Sequence, residues 1–312
     1  MQKPFDLLVA GEINPDLILS DPNLEARFGQ TETLVKEAAL TIGSSSVIFA
    51  CGAARLGLKT AFIGVVGKDL FGEFMLQAMA TRGIDTSPVI LDAQQQTGMS
   101  VILNRGPDRA ILTHLGSMNA LRASDLSDDL LSKTAHLHIS SYFLQTKLQP
   151  GLPSLLHRAH SLGLTVSLDT NWDPKEAWKG LNELLPLTDI FLPNQNEALA
   201  ISGSADIEQA LGVLSKVCPT VAIKLGREGA IAQHGKEIIR LPALPVRVVD
   251  TVGAGDSFDA GFLFGRLQGW DLESSLALGI VYGSLSTTKP GGTDGQPNLE
   301  EALQALPKIL SS

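Results

Sequence analysis

Short apolar runs alternate along the chain with longer stretches whose apolar residues recur at helical spacing. The short runs predict buried strands at 5–10, 60–66, 136–140, 164–168, 189–192 and 221–225. The longer stretches predict helices at 43–57, 71–82, 150–162 and 205–216. Strands that alternate with helices indicate an α/β fold with a mostly parallel central sheet covered on both faces. Such sheets bind ligands at the carboxyl ends of their strands.

Two segments interrupt this order because their polar and apolar residues alternate one by one. They span 13–42 and 96–116, and within the second a turn-rich link at 104–108 joins two alternating stretches. We predict that these segments form a small antiparallel sheet that stands apart from the main layer as a lid. The chain shows no internal repeat or linker, so residues 1–312 are predicted to form a single domain.

The amino-acid composition argues against several classes of protein function. The chain has 312 residues, 24 Lys and Arg against 33 Asp and Glu, and a formal net charge of −9. That balance argues against nucleic acid as a partner, because phosphate contacts need clustered basic side chains, but it permits a small anion held by backbone N–H groups. Cys51 and Cys218 are too few for a disulfide framework, and no apolar run approaches the roughly 18 residues of a membrane span. The N-terminus does not resemble a signal peptide, so we expect a cytoplasmic protein without a membrane partner.

The segment 250–262, DTVGAGDSFDAGF, carries the most specific chemical signal. We predict a strand at 246–249, then a loop of small residues, then a helix. Gly253, Ala254 and Gly255 let the backbone approach a ligand, and the unpaired N–H groups of the first helical turn favour an anion such as phosphate. Asp256 in that turn is suited to accept a proton from a hydroxyl group that attacks a phosphoryl group. The local alternative is a tight turn followed by an acidic residue that the helix dipole favours.

This segment resembles the signature of the ribokinase-like, or PfkB, carbohydrate kinases. Further segments extend the resemblance over nearly the whole chain, at 11–16, 43–57, 64–72, 194–197 and 224–229. The Walker A pattern and the protein-kinase glycine loop are absent. The resemblance implies a ribokinase-like three-layer α/β/α fold with a β lid. It also implies an enzyme that uses ATP and Mg²⁺ to phosphorylate a hydroxyl group of a monosaccharide, a sugar acid or a related small polyol.

The resemblance assigns roles around the signature. The counterpart of Asp256 is the catalytic base of the family, and the backbone at Gly253, Ala254 and Gly255 corresponds to its anion hole. A base or donor placed in this way commonly contributes on the order of 100–10,000-fold to the rate.

On the nucleotide side, the resemblance assigns Lys224, Gly226 and Gly229 to ATP binding. It places Asn194 and Glu197 near Mg²⁺ and the phosphates, with Glu197 reaching the metal through bound water, which suits an ion that keeps several waters. The local alternative is a helix start in which Asn194 caps the helix and Glu197 closes a capping box.

The resemblance also predicts the substrate contacts, which are Asn14, Asp16, Gly43, Ser44, Arg109, Asp169 and Asn171. Asp16 matches the acidic residue that holds sugar hydroxyl groups, and Arg109 in the lid would bind an acidic or phosphorylated substrate. Local chemistry leaves other interpretations open. These are a plain turn at 14–16, a helix cap at 169–171 and a solvated strand charge at Arg109.

Two further expectations come from the resemblance and from the lid. Asp250, the carbonyl group of Val252 and the loop 286–292 resemble a monovalent-cation site that potassium occupies in several members. The exposed strand edges of the lid are a candidate surface for a homodimer.

The sequence departs from the family pattern at two positions. Ile48 falls where many members carry an Asn that contacts the sugar, so we expect one apolar sugar contact unless Ser44, Ser45 or Ser46 substitutes for it. Ile280 falls where many members carry an Asn close to adenine.

Other candidate sites are weaker. His136 and His138 share a strand face and His157 and His160 share a helix face, but neither pair has a clear third ligand, so we expect ordinary histidines. Cys51 lies in an apolar helix and is expected to be a buried small residue.

Two alternative functions stay open. A nucleoside kinase would need aromatic side chains to stack on a base, and the lid segments offer only Phe28. A catalytically silent sensor of sugars or nucleotides would bind ligands without forming ADP. The retained Asp256 and Glu197 argue against a sensor, because a sensor has no need of a base.

Overall fold

The computed structural model describes residues 3–106 and 108–310. Its strands are β1 (Phe5–Ala10), β2 (Pro15–Ser20), β3 (Glu37–Ile42), β4 (Thr60–Ile63), β5 (Val65–Gly67), β6 (Ile90–Asp92), β7 (Met99–Arg105), β8 (Asp108–His114), β9 (Thr134–Ile139), β10 (Thr165–Leu168), β11 (Ile190–Phe191), β12 (Thr220–Lys224), β13 (Ala230–His234) and β14 (Glu237–Leu241). Its α-helices are α1 (Ser45–Arg55), α2 (Leu70–Thr81), α3 (Asp128–Ser132), α4 (Leu152–Ser161), α5 (Gln195–Ser202), α6 (Ile207–Leu214), α7 (Ala254–Leu267), α8 (Leu272–Ser286), α9 (Leu299–Ala305) and α10 (Pro307–Leu310).

The large sheet has the strand order β14-β13-β12-β11-β10-β9-β1-β4. Every neighbouring pair from β4 to β12 is parallel, and β13 and β14 continue the sheet in antiparallel fashion. Side chains of the parallel strands alternate between two cores. In β1, Leu7 and Val9 belong to the core that α1, α7 and α8 cover, whereas Leu8 and Ala10 belong to the core that α4 and α6 cover. The predicted three-layer α/β/α fold with a mostly parallel sheet is confirmed.

Two predicted strands differ from the structure. The apolar run 60–66 divides at Gly64 into β4 and β5, and β5 leaves the large sheet to pair with β6. The segment 246–249 is not a strand. The N–H groups of Val249 and Asp250 donate to the carbonyl group of Thr287 instead of to a neighbouring strand, and the side chains of Val248 and Val249 are exposed.

The small sheet contains β3, β2, β7 and β8 in that order, drawn from the two segments predicted as the lid. The outer pairs β2–β3 and β7–β8 are antiparallel, as the alternation predicts. The inner pair β2–β7 is parallel, because the two strands come from separate segments and no hairpin joins them. Within the predicted lid segment, residues 31–35 form no strand.

None of the helices in the described ranges is long and apolar enough to cross a membrane.

Candidate active site

A cavity of about 780 Å³ lies between the small sheet and the carboxyl edge of the large sheet. The residues that line it from the small sheet include Asp16, Ser100, Ile102, Ile111 and Thr113. The residues that line it from the carboxyl ends of strands and the following loops include Glu12, Asn14, Ser44, Ser45, Asn119, Phe143, Asn171, Asp173, Lys175 and Lys179. Its walls therefore offer many hydrogen-bonding groups and few aromatic rings, which suits a small hydroxylated molecule.

Asp256 lies in the first turn of α7, which begins after Gly253. Gly253 has a φ of 69°, and a Cβ atom there would come within 2.9 Å of the Cα atom of Gly292, so glycine alone fits this turn. Burial raises the pKa of Asp256 well above its usual range, and the nearby Asp169 carboxylate raises it further. Asp256 is not among the cavity-lining residues. It adjoins the cavity through Ser45, which lines the cavity and whose hydroxyl group lies close enough to the Asp256 carboxylate to oppose the rise of its pKa.

Lys224, at the end of β12, lies between two carboxylates. Its Nζ atom is 2.8 Å from Oδ2 of Asp169, which follows β10, and 2.9 Å from Oδ2 of Asp259 on α7. Burial is the largest influence on Asp169 and raises its pKa. The charge of Lys224, together with hydrogen bonds from Lys224, Asp259 and the Asn171 N–H group, more than offsets burial and holds the pKa of Asp169 below its usual range. Burial raises the pKa of Asp259 well above its usual range, although Lys224 opposes that rise. The three side chains join two strands to the helix that carries Asp256.

Asn194 and Glu197 form the capping box that local chemistry predicts. The Asn194 side chain accepts a hydrogen bond from the Glu197 N–H group, and the Glu197 carboxylate accepts one from the Asn194 N–H group at 2.9 Å. Burial, followed by the nearby charge of Asp169, raises the pKa of Glu197 to about 7. The capping box therefore holds the Glu197 carboxylate near Lys224 and Asp169, and all three residues lie at the carboxyl edge of the large sheet.

Three of the predicted sugar contacts, Asn14, Asp16 and Ser44, line the cavity, and Gly43 lies directly behind Asp16. Asn14 donates to Oδ1 of Asp16 at 3.2 Å, and a Cβ atom on Gly43 would clash with that oxygen. Burial, and then the charge of Glu12, raise the pKa of Asp16 to about 6. Ser44 caps α1 and lines the same cavity.

Asn171 lines the cavity and links its wall to Ser45, Ser141 and Asp169. It has a φ of 54°, and its side-chain amide donates to Ser45 at 2.7 Å and to Ser141 at 2.9 Å. The Asn171 N–H group also donates to Asp169 at 2.7 Å. No helix begins at 169–171, so the helix cap considered for this segment is absent.

The remaining predicted residues lie outside the cavity. Arg109 is exposed near the tip of the β7–β8 hairpin and does not line the cavity. Gly226 and Gly229 form the turn between β12 and β13. The Asp250 carboxylate accepts hydrogen bonds from the N–H groups of Val252 and Gly291, both at 3.0 Å, and so ties the loop before α7 to the loop after α8.

Ile48 differs from the expectation of an apolar sugar contact. It is buried against Gly253 and Gly292 behind the α7 turn and does not line the cavity. Ser44 and Ser45 line it instead. Ile280 is buried in the core beside α7.

His136, His138 and Cys51 are buried in the interior of the protein. His136 and His138 are fully buried and both hydrogen-bond to Ser167 at 2.7 Å. Burial lowers the pKa of each to about 3, so both rings are neutral. Cys51 is buried, and burial raises the pKa of its thiol to about 12. Within the described ranges, no cluster of three metal-ligating side chains occurs.

Sequence reasoning missed Glu12 and Asp259. Glu12 is buried, lines the cavity and accepts hydrogen bonds from the hydroxyl groups of Ser44 and Ser46. Its position directly after a buried strand was a usable signal, because an acidic residue there lies at the carboxyl edge of the sheet. Asp259 had no such signal, since its partners lie 35 and 90 positions away in the chain.

Comparison with known proteins agrees with this arrangement. The model of the pfkB family carbohydrate kinases matches residues 5–299. The chain is 32% identical to a ribokinase of Haemophilus influenzae over 96% of this chain and 98% of that protein. It is 31% identical to a 2-dehydro-3-deoxygluconokinase of Bacillus subtilis over 82% of this chain and 84% of that protein.

Solved structures share the fold. An E. coli protein provisionally named ribokinase II, crystallised with ATP and Mg²⁺, superimposes with a TM-score of 0.86 at 24% identity over 97% of this chain and 99% of that one. A ribokinase of Arabidopsis thaliana, crystallised with ribose and ATP, gives a TM-score of 0.84 at 24% identity over 98% of this chain and 99% of that one. The family model matches nearly the whole chain, and the two relatives are 31% and 32% identical over most of it, so this chain belongs to the pfkB family of carbohydrate kinases and is a sugar kinase.

Proposed function

We propose that this kinase transfers the γ-phosphate of ATP to a hydroxyl group of a monosaccharide, a sugar acid or a related small polyol, with Asp256 as general base. The observation that carries the proposal is the position of Asp256, in the first turn of α7 and beside Ser45, which lines the cavity. The hydroxyl oxygen bonds to the γ-phosphorus, its proton passes to Asp256, and the bond to the bridging oxygen breaks to release ADP.

The phosphates belong at the N-terminus of α7. The backbone N–H groups at Gly253, Ala254 and Gly255 lack partners within the helix and carry partial positive charge from the helix dipole. The Lys224 ammonium adds a full charge at the same place. We assign the turn of Gly226 and Gly229 to the nucleotide side, because it directly follows Lys224.

Mg²⁺ fits this donor set when it arrives with the nucleotide. Mg²⁺ is usually held by one or two carboxylates, by substrate phosphates and by water rather than by a cage of protein ligands. Glu197 offers a buried carboxylate near Asp169 at the phosphate side, and we assign it the water-mediated contact. The ion would offset the charge of the phosphates there.

For potassium, we assign the Asp250 carboxylate and the Val252 carbonyl group. Asp250 already holds two backbone N–H groups from the two loops that flank the anion turn, so a cation there would stiffen the same turn.

The cavity favours an acidic sugar. Several polar side chains of the cavity are suited to bind hydroxyl groups, namely Asn14, Asp16, Ser44 and Asn171. The carboxylate of Asp16 can accept hydrogen bonds from the hydroxyl groups of a sugar. Lys175 and Lys179 line the same cavity, and neither forms a salt bridge within the described part of the chain. Asp173 on the same cavity wall attracts Lys175, and a carboxylate or phosphate group on the substrate would add a direct partner for both ammonium groups. The cavity contains one aromatic side chain, Phe143, and Phe28 is exposed outside it, so the cavity gives a nucleoside base little to stack on.

We further propose a homodimer through the lid. All of β8 and most of β3 are exposed, including Leu40 and Leu112, so the edges of the small sheet are open to a second copy. Light scattering after size-exclusion chromatography tests this: a mass near 66 kDa supports it, and a mass near 33 kDa contradicts it.

The deciding experiment measures ADP release from ATP and Mg²⁺ across neutral sugars, sugar acids, sugar phosphates and nucleosides. Asp256→Asn is measured beside the wild type, with Asp129→Asn as the matched control because Asp129 is an exposed first-turn acid on α3. The proposal is supported if the rate of ADP release falls about 100-fold or more in Asp256→Asn and stays unchanged in the control. If no compound gives turnover but ligands still raise the melting temperature, the protein is a sensor and Asp256 is not a base.

A further inference from the structure

Asp259 belongs to a closed arrangement of three charged side chains that the sequence signature does not explain. Its carboxylate and that of Asp169 both contact the Nζ atom of Lys224, at 2.9 and 2.8 Å. The two acidic side chains are almost completely buried, at 1% and 5% exposure, and the lysine side chain is 12% exposed. Such an arrangement holds the ammonium group from two sides.

The charges of this group do not balance if all three side chains are ionised. One ammonium neutralises one carboxylate, and a second buried carboxylate without a counter-ion is costly. The two acids therefore share a proton. Asp169 keeps its charge because it also accepts a hydrogen bond from the Asn171 N–H group at 2.7 Å, whereas Oδ1 of Asp259 has no hydrogen-bond partner among the described residues. A neutral Asp259 accepts one hydrogen bond from Lys224 at Oδ2 and leaves the charge of the ammonium group to Asp169.

The geometry leaves one donor of Lys224 available. A lysine ammonium has three N–H groups, and Asp169 and Asp259 engage two of them. The Nζ atom lies 3.7 Å from the position that a Cβ atom would take on Gly255, so the ammonium faces the anion-binding turn of α7. The remaining N–H group is therefore close to the proposed phosphate position.

We propose that Asp259 is a positioning residue that, together with Asp169, holds the Lys224 ammonium against the anion-binding turn so that its third N–H group contacts the transferred phosphoryl group. This inference rests on the proposed function, because it concerns the phosphoryl group of that reaction. Lys224 is then the contact to the phosphoryl group, and Asp259 acts only through Lys224. A fixed ammonium stabilises developing charge better than a mobile one, because it does not reorganise during the reaction.

The kinetic test compares Asp259→Ala, Asp259→Asn and Lys224→Met with the wild type. Glu273→Gln is the control, since Glu273 is an exposed acid on α8 away from this group. We expect Lys224→Met to lower kcat/KM about 100-fold or more and Asp259→Ala about tenfold or more, through kcat and the KM for ATP and not through the KM for the sugar. Asp259→Asn recovers most of that loss, because its amide oxygen accepts the same hydrogen bond from Lys224 as a neutral acid does. An equal loss in both Asp259 variants, or a change confined to the sugar KM, overturns the proposal.

The double variant Lys224→Met/Asp259→Ala separates positioning from a general effect on folding. If Asp259 acts only through Lys224, the double variant is no slower than Lys224→Met alone. If the two losses multiply, Asp259 has an independent role and the proposal is wrong.

A binding measurement distinguishes this proposal from the proposed function. Calorimetry with a non-hydrolysable ATP analogue and Mg²⁺ should show at least tenfold weaker binding to Asp259→Ala than to Asp259→Asn or Glu273→Gln. If the analogue binds with this difference between the variants, but the wild type phosphorylates none of the acceptors, the proposed kinase reaction is wrong and the positioning role of Asp259 stands. If the wild type turns over an acceptor, but the two Asp259 variants bind the analogue equally and react at equal rates, only the positioning role is refuted.

Discussion

The side-chain amide of Asn171 donates a 2.7 Å hydrogen bond to the hydroxyl group of Ser45, although the two residues are 126 positions apart. An amide NH₂ group only donates, so Ser45 accepts this bond and must direct its own proton elsewhere. The Asp256 carboxylate is the acceptor beside it. The polarity of this short chain of hydrogen bonds therefore orients a donor toward the proposed base.

Ser45→Ala should shift the pH dependence of the reaction. Loss of the Ser45 donor raises the pKa of Asp256 further, because that hydrogen bond favours the ionised form. Since the base must be ionised to accept a proton, the acidic limb of kcat/KM should move to higher pH and the rate near pH 7 should fall about tenfold. The check is a pH–rate profile of Ser45→Ala against wild type, and an unshifted acidic limb contradicts the orientation described here.

Asp256→Asn should stabilise the protein while it abolishes activity. Burial, and then Asp169, raise the pKa of Asp256 in the folded protein above its unfolded value. The contribution of this group to stability is therefore fully present below its unfolded pKa, which lies near 4, and is lost as the pH rises through its folded pKa. Thermal melts should show a gain for Asp256→Asn that is larger at pH 8 than at pH 5. A loss of stability at pH 8 would show that the carboxylate has a stabilising partner.

Glu197 should couple nucleotide binding to pH. Its pKa is raised to about 7 by burial and by the charge of Asp169, so below pH 7 the side chain is increasingly protonated and less able to hold a metal-bound water. The KM for Mg²⁺-ATP should rise as the pH falls below 7, and Glu197→Gln should have a high KM with little pH dependence between pH 6 and 8. The same pH dependence in wild type and variant would exclude Glu197 as the source.

Gly253→Ala should impair both folding and catalysis. Alanine at a φ of 69° is strained, and its Cβ atom would meet Ile48 at 2.8 Å and Gly292 at 2.9 Å, so we expect a cost of about 1–3 kcal/mol and loss of the anion-binding turn. Gly212→Ala is the matched control. It lies within α6 with no atom within 4 Å of its Cβ position, and should stabilise the fold by about 0.5–1 kcal/mol. Urea unfolding and ADP release measure the two effects, and equal stability of the two variants contradicts the argument.

Lys175→Ala and Lys179→Ala should separate acidic from neutral substrates. Both side chains line the cavity, and a charge-assisted hydrogen bond contributes about 1.5–3 kcal/mol, so loss of either should raise the KM for a sugar acid about tenfold or more. The KM for a neutral sugar of the same length should stay unchanged. Steady-state kinetics with such a pair tests this, and equal changes for both substrates would mean that the lysines act on the loop and not on the acid group.

Much of the fold was predictable because it depends on local patterns. Short apolar runs between helical stretches predicted every parallel strand of the large sheet, and one-by-one alternation predicted the lid. The wrong predictions concern apolar segments that do not pair with a strand of the large sheet over their whole length. The apolar segment 246–249 finds no neighbouring strand and bonds to Thr287 at the end of α8, and the run at 60–66 divides where Gly64 lets two loops approach closely.

For the site, the chain by itself determined the GAGD turn and its Asp256, the capping box of Asn194 and Glu197, and the placement of polar residues after buried strands. Each of these depends on residues within a few positions of one another. Only the tertiary structure decided that Lys224 lies between Asp169 and Asp259, that Asn171 orients Ser45, and that Ile48 packs behind the α7 turn while Ser44 and Ser45 face the cavity. The physical reason is that charge and hydrogen-bond balance inside a protein are set by distances across the sheet, and strand order, which determines those distances, is not recorded in the spacing of residues along the chain.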